Sequence, residues 1–224
     1  MKLTKSINSS IARWSVFSAL VALFGSLAGC SSMVDAPSSA TAPENDVRNY
    51  YIQMATPKVI YNYTVASTAP FHPASGTLAM SMSGIEDTKN GTPIYACLWS
   101  YKNYGTPTDW FYSVSDKAAI NLGLEDSSGQ YTDNWVDLQS PLAQDKSWTF
   151  TSHGEQITAT IVKYGATAQV EGQTYDNVLM VNYVGVNGTN GTEWFQRGKG
   201  IIYSHIEYAK FGMVENHLLS IVQP

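Results

Sequence analysis

The sequence predicts an all-β domain: one antiparallel, strongly curved sheet, as a half-barrel or open barrel, behind a short N-terminal leader. Three features carry that expectation. From residue 58 onward apolar residues recur with period two, as in Val59, Tyr61, Tyr63 and Val65, or Leu78, Met80 and Met82. Glycines and Asn-Gly pairs fall between the runs, where tight hairpins need a residue tolerant of positive φ. Helical periodicity is nearly absent, and a dozen or so short strands make a sheet large enough to curl or split.

The leader is the first element. Lys2, Lys5 and Arg13 precede the uncharged stretch Trp14 to Gly25, which is the layout of a signal peptide. Its signal helix is too short for a span, which takes about 20 apolar residues, so residues 1–29 are expected to be cleaved off. The stretch runs into Leu27-Ala28-Gly29-Cys30. That tetrad resembles the lipobox of bacterial lipoproteins at all four positions. The resemblance implies that a dedicated peptidase recognises Leu27, Ala28 and Gly29, that the Cys30 thiol carries a diacylglycerol, and that the new amino group is acylated. Two or more chains hold a protein stably on a bilayer where one binds marginally. Ser31, standing where aspartate would retain a protein, resembles the default outer-membrane sorting pattern of a two-membrane bacterium. The expected location is therefore the bacterial envelope, lipid-anchored, in the outer membrane, with either face open. An ordinary secretory leader with a chance cysteine is the competing reading.

Residues 30–46, which include Ala36-Pro37-Ser38-Ser39-Ala40-Thr41-Ala42-Pro43, read as a flexible tether. Residues 47–224 then form a single β domain. Val47, Tyr50, Tyr51 and Met54 have the spacing of one short helix before Pro57, with a strand as the alternative. Strands are expected over 59–65, 78–83, 93–101, 110–115 and 118–124, the last through Ile120, Leu122 and Leu124. Asp126-Ser127-Ser128-Gly129 is expected as a turn dividing two halves. Beyond it come 148–151, 157–161 and 166–170, then Val178-Leu179-Met180-Val181, apolar on both faces and therefore central. Residues 201–208 and 214–222 close the chain as a hairpin through Phe211-Gly212. Gly154, Gly165, Gly172 and Gly212, with Asn90-Gly91, Asn187-Gly188 and Asn190-Gly191, are expected in turns.

Thr108-Asp109-Trp110-Phe111 and Thr192-Glu193-Trp194-Phe195 match at three positions, and the same offset pairs Ile94 with Val178. Tyr61-Asn62-Tyr63 and Trp148-Thr149-Phe150 open the two regions. Residues 58–124 and 147–208 are thus candidate tandem β units, with shared strand composition as the alternative. Pro141-Leu142 with Trp148, Tyr175-Asp176-Asn177-Val178, Gly198-Lys199-Gly200-Ile201-Ile202 and Leu218 resemble uncharacterised extracytoplasmic lipoproteins. That resemblance implies a curved-sheet architecture like that of lipoprotein and lipid carriers, and it brings no catalytic residues.

Composition narrows the function. Loss of Lys2, Lys5 and Arg13 with the leader takes the net charge from −5 to −8, which argues against nucleic acid and offers no polybasic help on anionic lipid. With Cys30 reserved for lipid, Cys97 has no internal partner, and its apolar setting Ile94 to Trp99 makes it a small core residue. His72, His153, His205 and His217 are dispersed. Only His205 and Glu207 share a strand face, a solvated contact before it is a metal site. Gly198-Lys199-Gly200 reads as a bend between strands, not a phosphate loop. Glu125-Asp126 and the other acids are placed in turns, and a glycosidase-like pair cannot be read from spacing. The triplets at Asn62, Asn187 and Asn190 would accept glycans only in a glycosylating export pathway.

No catalytic residue, metal or cofactor is therefore expected. Trp99, Tyr101, Tyr104, Trp110 and Tyr112 are core or, alternatively, an exposed platform. The expected function is that of a non-enzymatic, lipid-anchored envelope protein that binds a partner or serves an accessory role, its membrane contact made by the lipid on Cys30. The alternatives are a carrier of an apolar ligand, lipid or lipoprotein, in the concave face, and a surface glycan-binding or hydrolytic protein.

Overall fold

The computed structural model describes residues 45–51, 59–70, 73–89 and 91–222. The lipobox with Cys30, nearly all of the tether, Met54 and His72 lie outside the described residues.

Period-two patterning produces the expected sheet. Six strands form a first meander: β1 (Ile60–Ser67), β2 (Ser75–Lys89), β3 (Thr92–Tyr101), β4 (Thr108–Val114), β5 (Ala118–Gly123) and β6 (Trp135–Gln139). Six more follow: β7 (Ser147–Ser152), β8 (Glu155–Val170), β9 (Gln173–Gly185), β10 (Asn190–Gln196), β11 (Gly200–Tyr208) and β12 (Gly212–Val222). They make one antiparallel sheet in the order β6-β5-β4-β3-β2-β1-β12-β11-β10-β9-β8-β7. Pairing of β1 with β12, from Ile60↔Val222 to Ser67↔Val214, joins the meanders and curls the sheet into a nearly closed barrel. The seam lies between β6 and β7. Side chains bridge it in place of a ladder: Trp148 Nε1 donates to Val136 O at 3.0 Å, and Ser152 Oγ to Asp133 Oδ1 at 2.6 Å.

Alternation decides which side chains turn inward. Tyr61, Tyr63 and Val65 on β1, Leu78, Met80 and Met82 on β2, Trp148 and Phe150 on β7, and Ile157, Ala159 and Ile161 on β8 all enter one contiguous buried cluster. Outward positions such as Thr149, Thr158 and Asn182 are exposed. Val178 and Leu179 are both fully buried, as expected of a run apolar on both faces.

Several local expectations are corrected. Of the stretch 47–54 the described part, 47–51, forms a four-residue 3-10 turn, Val47–Tyr50, capped by Asp46, whose side chain accepts from Arg48 N. Asp46, placed in the tether, is thus part of the domain and is buried. Gly165 does not end a strand: β8 runs through it, at φ 72°, in a stretch of shifted register between Ile161 and Ala168. Asn190-Gly191 begins β10 and is no turn, whereas Gly188 and Gly91 do sit in turns with positive φ. On β5 Leu122 is an extra residue between the pairings Tyr112↔Asn121 and Phe111↔Gly123, and Ala119 and Leu122 are buried while Ile120 is half-buried, so the alternation of Ile120, Leu122 and Leu124 fails. The halves divide at 140–146, not at Asp126, because β6, which the pattern did not yield, still pairs with β5.

The candidate repeat halves share strand order. Tyr61–Tyr63 and Trp148–Phe150 lie in first strands, Ile94 and Val178 in third strands, and the two tetrads in fourth strands, β4 and β10. The tetrads are not equivalent in orientation. Trp110 shares a face with buried Tyr112, while Trp194 lies opposite to buried Glu193 and Phe195.

Candidate functional site

The barrel interior holds two carboxyls that the sequence placed in turns. Asp137 is the extra residue of a β6 bulge: Val136 pairs with Ile120 and Leu138 with Ala119, so Asp137 opposes nothing on β5. Such a bulge re-aims a side chain, and here it lets Asp137 and Leu138, neighbours in sequence, both turn into the core. Glu193 points inward from β10 between Val181 and Ser204, its partners on the flanking strands. Both are buried.

Hydroxyls satisfy them. Tyr51 donates to Asp137 Oδ2 at 2.5 Å, and Ser204 Oγ donates to Glu193 Oε1 at 3.0 Å. The Tyr183 hydroxyl lies 2.8 Å from Glu193 Oε2 and 3.0 Å from Asp137 O. The two carboxyls share Tyr183, whose hydroxyl reaches the side chain of one and the backbone of the other. Burial raises the pKa of both, and their mutual repulsion pushes Asp137 well above the carboxylate range. Both shifts favour the protonated form of the pair. Burial likewise raises the phenols of Tyr51 and Tyr183, so they remain donors.

This network is a clamp. Tyr51 ends the 3-10 turn, and its ring packs at 6.0 Å from both Tyr112 and Phe195. Residues 45–51 thereby close one end of the barrel, where Val47 N donates to Asp116 O and Gly198 N to Asn49 O. That near end carries the connections 115–117, 140–146, 171–172 and 197–199. The far end carries 102–107, 124–134, 153–154, 186–189 and 209–211.

At the far end a crevice of about 10 Å³ is lined in part by Trp135, His153, Glu155, Tyr208, Lys210 and Phe211. It has room for a single water. Asp133 stands between Ser152, at 2.6 Å, and His153 Nε2, at 3.4 Å, and its hydrogen bond raises the His153 pKa. The carboxylate occupies the middle of this trio. A nucleophilic triad needs the imidazole there, taking the hydroxyl proton, so the order of groups does not activate Ser152. Glu155 accepts from Asn187 N at 2.7 Å and Thr189 N at 3.2 Å. Against a burial that works to raise it, those bonds and that of Thr189 Oγ1 hold its carboxyl below the usual range. It pins the β9–β10 connection.

A third group lies on the outer face of β11 and β12. His205 Nδ1 meets Glu215 Oε2 at 2.8 Å, and Glu207 Oε1 lies 3.6 Å from its other nitrogen. His217 is held between Glu215, at 2.5 Å, and Glu171, at 2.7 Å. Burial favours the neutral acid at Glu215, yet its hydrogen bonds from both histidines bring the carboxyl lower. The expected contact of His205 with Glu207 is thus the loosest link of a longer row. Among the described residues no set of three or more His, Cys, Asp or Glu side chains is placed to hold a metal ion.

The other residues singled out from sequence fall as follows. Cys97 is fully buried, and burial raises its thiol far from reactivity. Trp99 and Trp110 stack at 4.8 Å, with Tyr101 edge-on to Trp99 and Tyr104 edge-on to Tyr101. This ladder packs on the core through Trp99, Tyr101 and Trp110, while Tyr104 is exposed. Gly198 and Lys199 lie in the β10–β11 turn and Gly200 begins β11, with Lys199 Nζ over the Tyr175 ring. Asp126 caps its own turn, accepting from Ser128 and Gln130. The missed carboxyls had a signal available: Asp137 sits two residues after Trp135, and Glu193 two before Phe195, the spacing of a shared strand face.

Fold and sites together define an all-β, nearly closed antiparallel barrel. Two solved structures resemble it at a distance. A Bacteroides fragilis protein described as exported, with a YmcC-like fold, matches with a TM-score of 0.44 at 11% identity, covering 75% of this chain and 97% of its own. A Parabacteroides distasonis protein described as a lipoprotein matches with a TM-score of 0.37 at 11% identity, over 75% and 96% of the respective chains. No family model and no curated protein matches the sequence.

Proposed function

We propose that this is a lipid-anchored envelope lipoprotein whose barrel is a non-catalytic binding or accessory module. The observation that carries the reading is the fate of residues 45–51. A chain that emerges from a lipobox is here built into the barrel, through Tyr51 on Asp137 and Asn49 on Gly198, so pulling on the anchor pulls on the core. Among the described residues, strands of both meanders send side chains into one contiguous buried cluster, which supports binding at the surface over carriage within, since a carrier needs a hollow of several hundred Å³.

Two measurements test this. Intact mass of the detergent-extracted protein should show a chain beginning at Cys30 with acyl and diacylglycerol mass, and Cys30→Ser should move the protein to the soluble fraction. An unmodified Cys30 in the mature protein would remove the anchor. Native mass spectrometry of the Cys30→Ser protein should show bare polypeptide; a retained lipid would favour the carrier reading instead.

A further inference from the structure

We infer that the barrel stands on the anionic leaflet that holds its anchor, near end down, with Ile60, Leu219 and Val222 in the headgroup region and the far end turned away. This rests on the lipid anchor proposed above and adds a docking face to it.

Chain geometry supplies the first reason. Asn45 and Asp46 enter the near end, about fifteen residues after Cys30, and an extended chain of that length spans at most about 50 Å. The near end is therefore where the anchor's leash enters the barrel.

Charge supplies the second. Among the described side chains, Arg48, Lys117, Lys146, Lys163, Arg197 and Lys199 all lie at the near end, Lys163 beyond the last β7 pairing at Thr160. Asp46, Asp116, Asp145, Glu171 and Asp176 offset them there, so the described side chains of that end are close to neutral. Among the described side chains the far end sets Lys102 and Lys210 against Asp109, Glu125, Asp126, Asp133, Glu155 and Glu207. The acidity of the described barrel is thus concentrated away from the anchor. A negative leaflet repels the far end and not the near one, within a Debye length of about 8 Å. The anchor supplies the binding and the asymmetry supplies the orientation.

Exposed apolar residues supply the third. Ile60 and Val222 are cross-strand partners, 37% and 49% exposed, and Leu219, the bulged residue of β12, is 42% exposed. All lie at the near end. Val184 and Val186, 64% and 70% exposed, belong to the acidic far end, so exposure alone does not choose a face and charge does.

The test uses the mature lipidated protein in vesicles of phosphatidylglycerol and phosphatidylethanolamine. Leu219→Cys, Val222→Cys, Val184→Cys and Val186→Cys proteins carry a fluorophore and are read by quenching from headgroup-brominated lipid. All four sites are exposed, so labelling leaves the core intact. Quenching at 219 and 222 should exceed that at 184 and 186 at least threefold, and Lys117→Glu with Lys146→Glu should cut the contrast about twofold. Equal quenching at both ends, or stronger quenching at 184 and 186, on a protein whose mass confirms lipid at Cys30 would overturn the orientation and leave the anchor standing. An unmodified Cys30 would overturn both.

Discussion

At the scale of single residues, the buried carboxyl pair sets how this protein responds to pH. Both folded-state pKa values are raised above their unfolded ones, so the folded chain keeps protons that the unfolded chain has released. The stability this contributes is present in full below the unfolded values, near 4, and is lost as pH rises through the folded values. We therefore expect the melting temperature to fall from pH 5 to pH 9 at fixed ionic strength. Asp137→Asn, which can still accept from Tyr51, should flatten that slope, by about 1.4 kcal/mol for each pKa unit of coupling removed. Parallel pH profiles for the two proteins would refute the assignment. Tyr51→Phe takes a donor from a buried carboxyl and should cost about 1–3 kcal/mol in urea unfolding. Tyr51→Ala also opens a cavity and should cost about 3–5 kcal/mol.

At the scale of elements, close approach and not turn geometry explains Gly191. A Cβ there would stand 2.4 Å from His205 O and 2.9 Å from Ile206 Cα, so β11 would have to move. Gly191→Ala should destabilise by about 1–3 kcal/mol, measured by thermal melting, and a neutral result would mean that β10 and β11 can part without cost. The long β8–β9 hairpin poses a different question. Its tip crosses to β12 and β1, where Glu171 meets His217 at 2.7 Å and Thr64 Oγ1 at 3.3 Å, and Gln173 Nε2 reaches Leu219 O. Glu171→Gln should speed amide exchange over residues 168–175 several-fold and leave β10 unchanged. Unaltered exchange at the tip would show that Val170 and Tyr175, both buried, hold the hairpin without the Glu171–His217 contact.

At the scale of the whole molecule, β12 is the closing strand, since it joins the last meander to the first. Deleting residues 212–222 would uncover Tyr61, Tyr63 and Val65 along β1 and create two new unpaired edges, which promote association. The expected outcome in calorimetry is loss of the cooperative transition, with aggregation. A truncated protein melting cooperatively within a few degrees of the full chain would mean that the meanders are stable apart.

Local chemistry alone determined the class of fold, most strands, the terminal hairpin and the burial of Cys97, because period-two alternation and positive-φ turn residues act within a few positions of the chain. Ile120 and Gly165 escaped it, since a one-residue bulge reverses every later side chain and is set by the neighbouring strand. The same held for Asp137 and Glu193. Their inward spacing was present in the sequence, but acids are expected in water until a partner is in view, and the partners, Tyr51, Tyr183 and Ser204, come from distant strands. Net charge was legible from composition, and its separation between the two ends of the barrel was not. Only closure of β1 on β12 sorted the connections by end, because alternate hairpins of a meander turn at opposite rims.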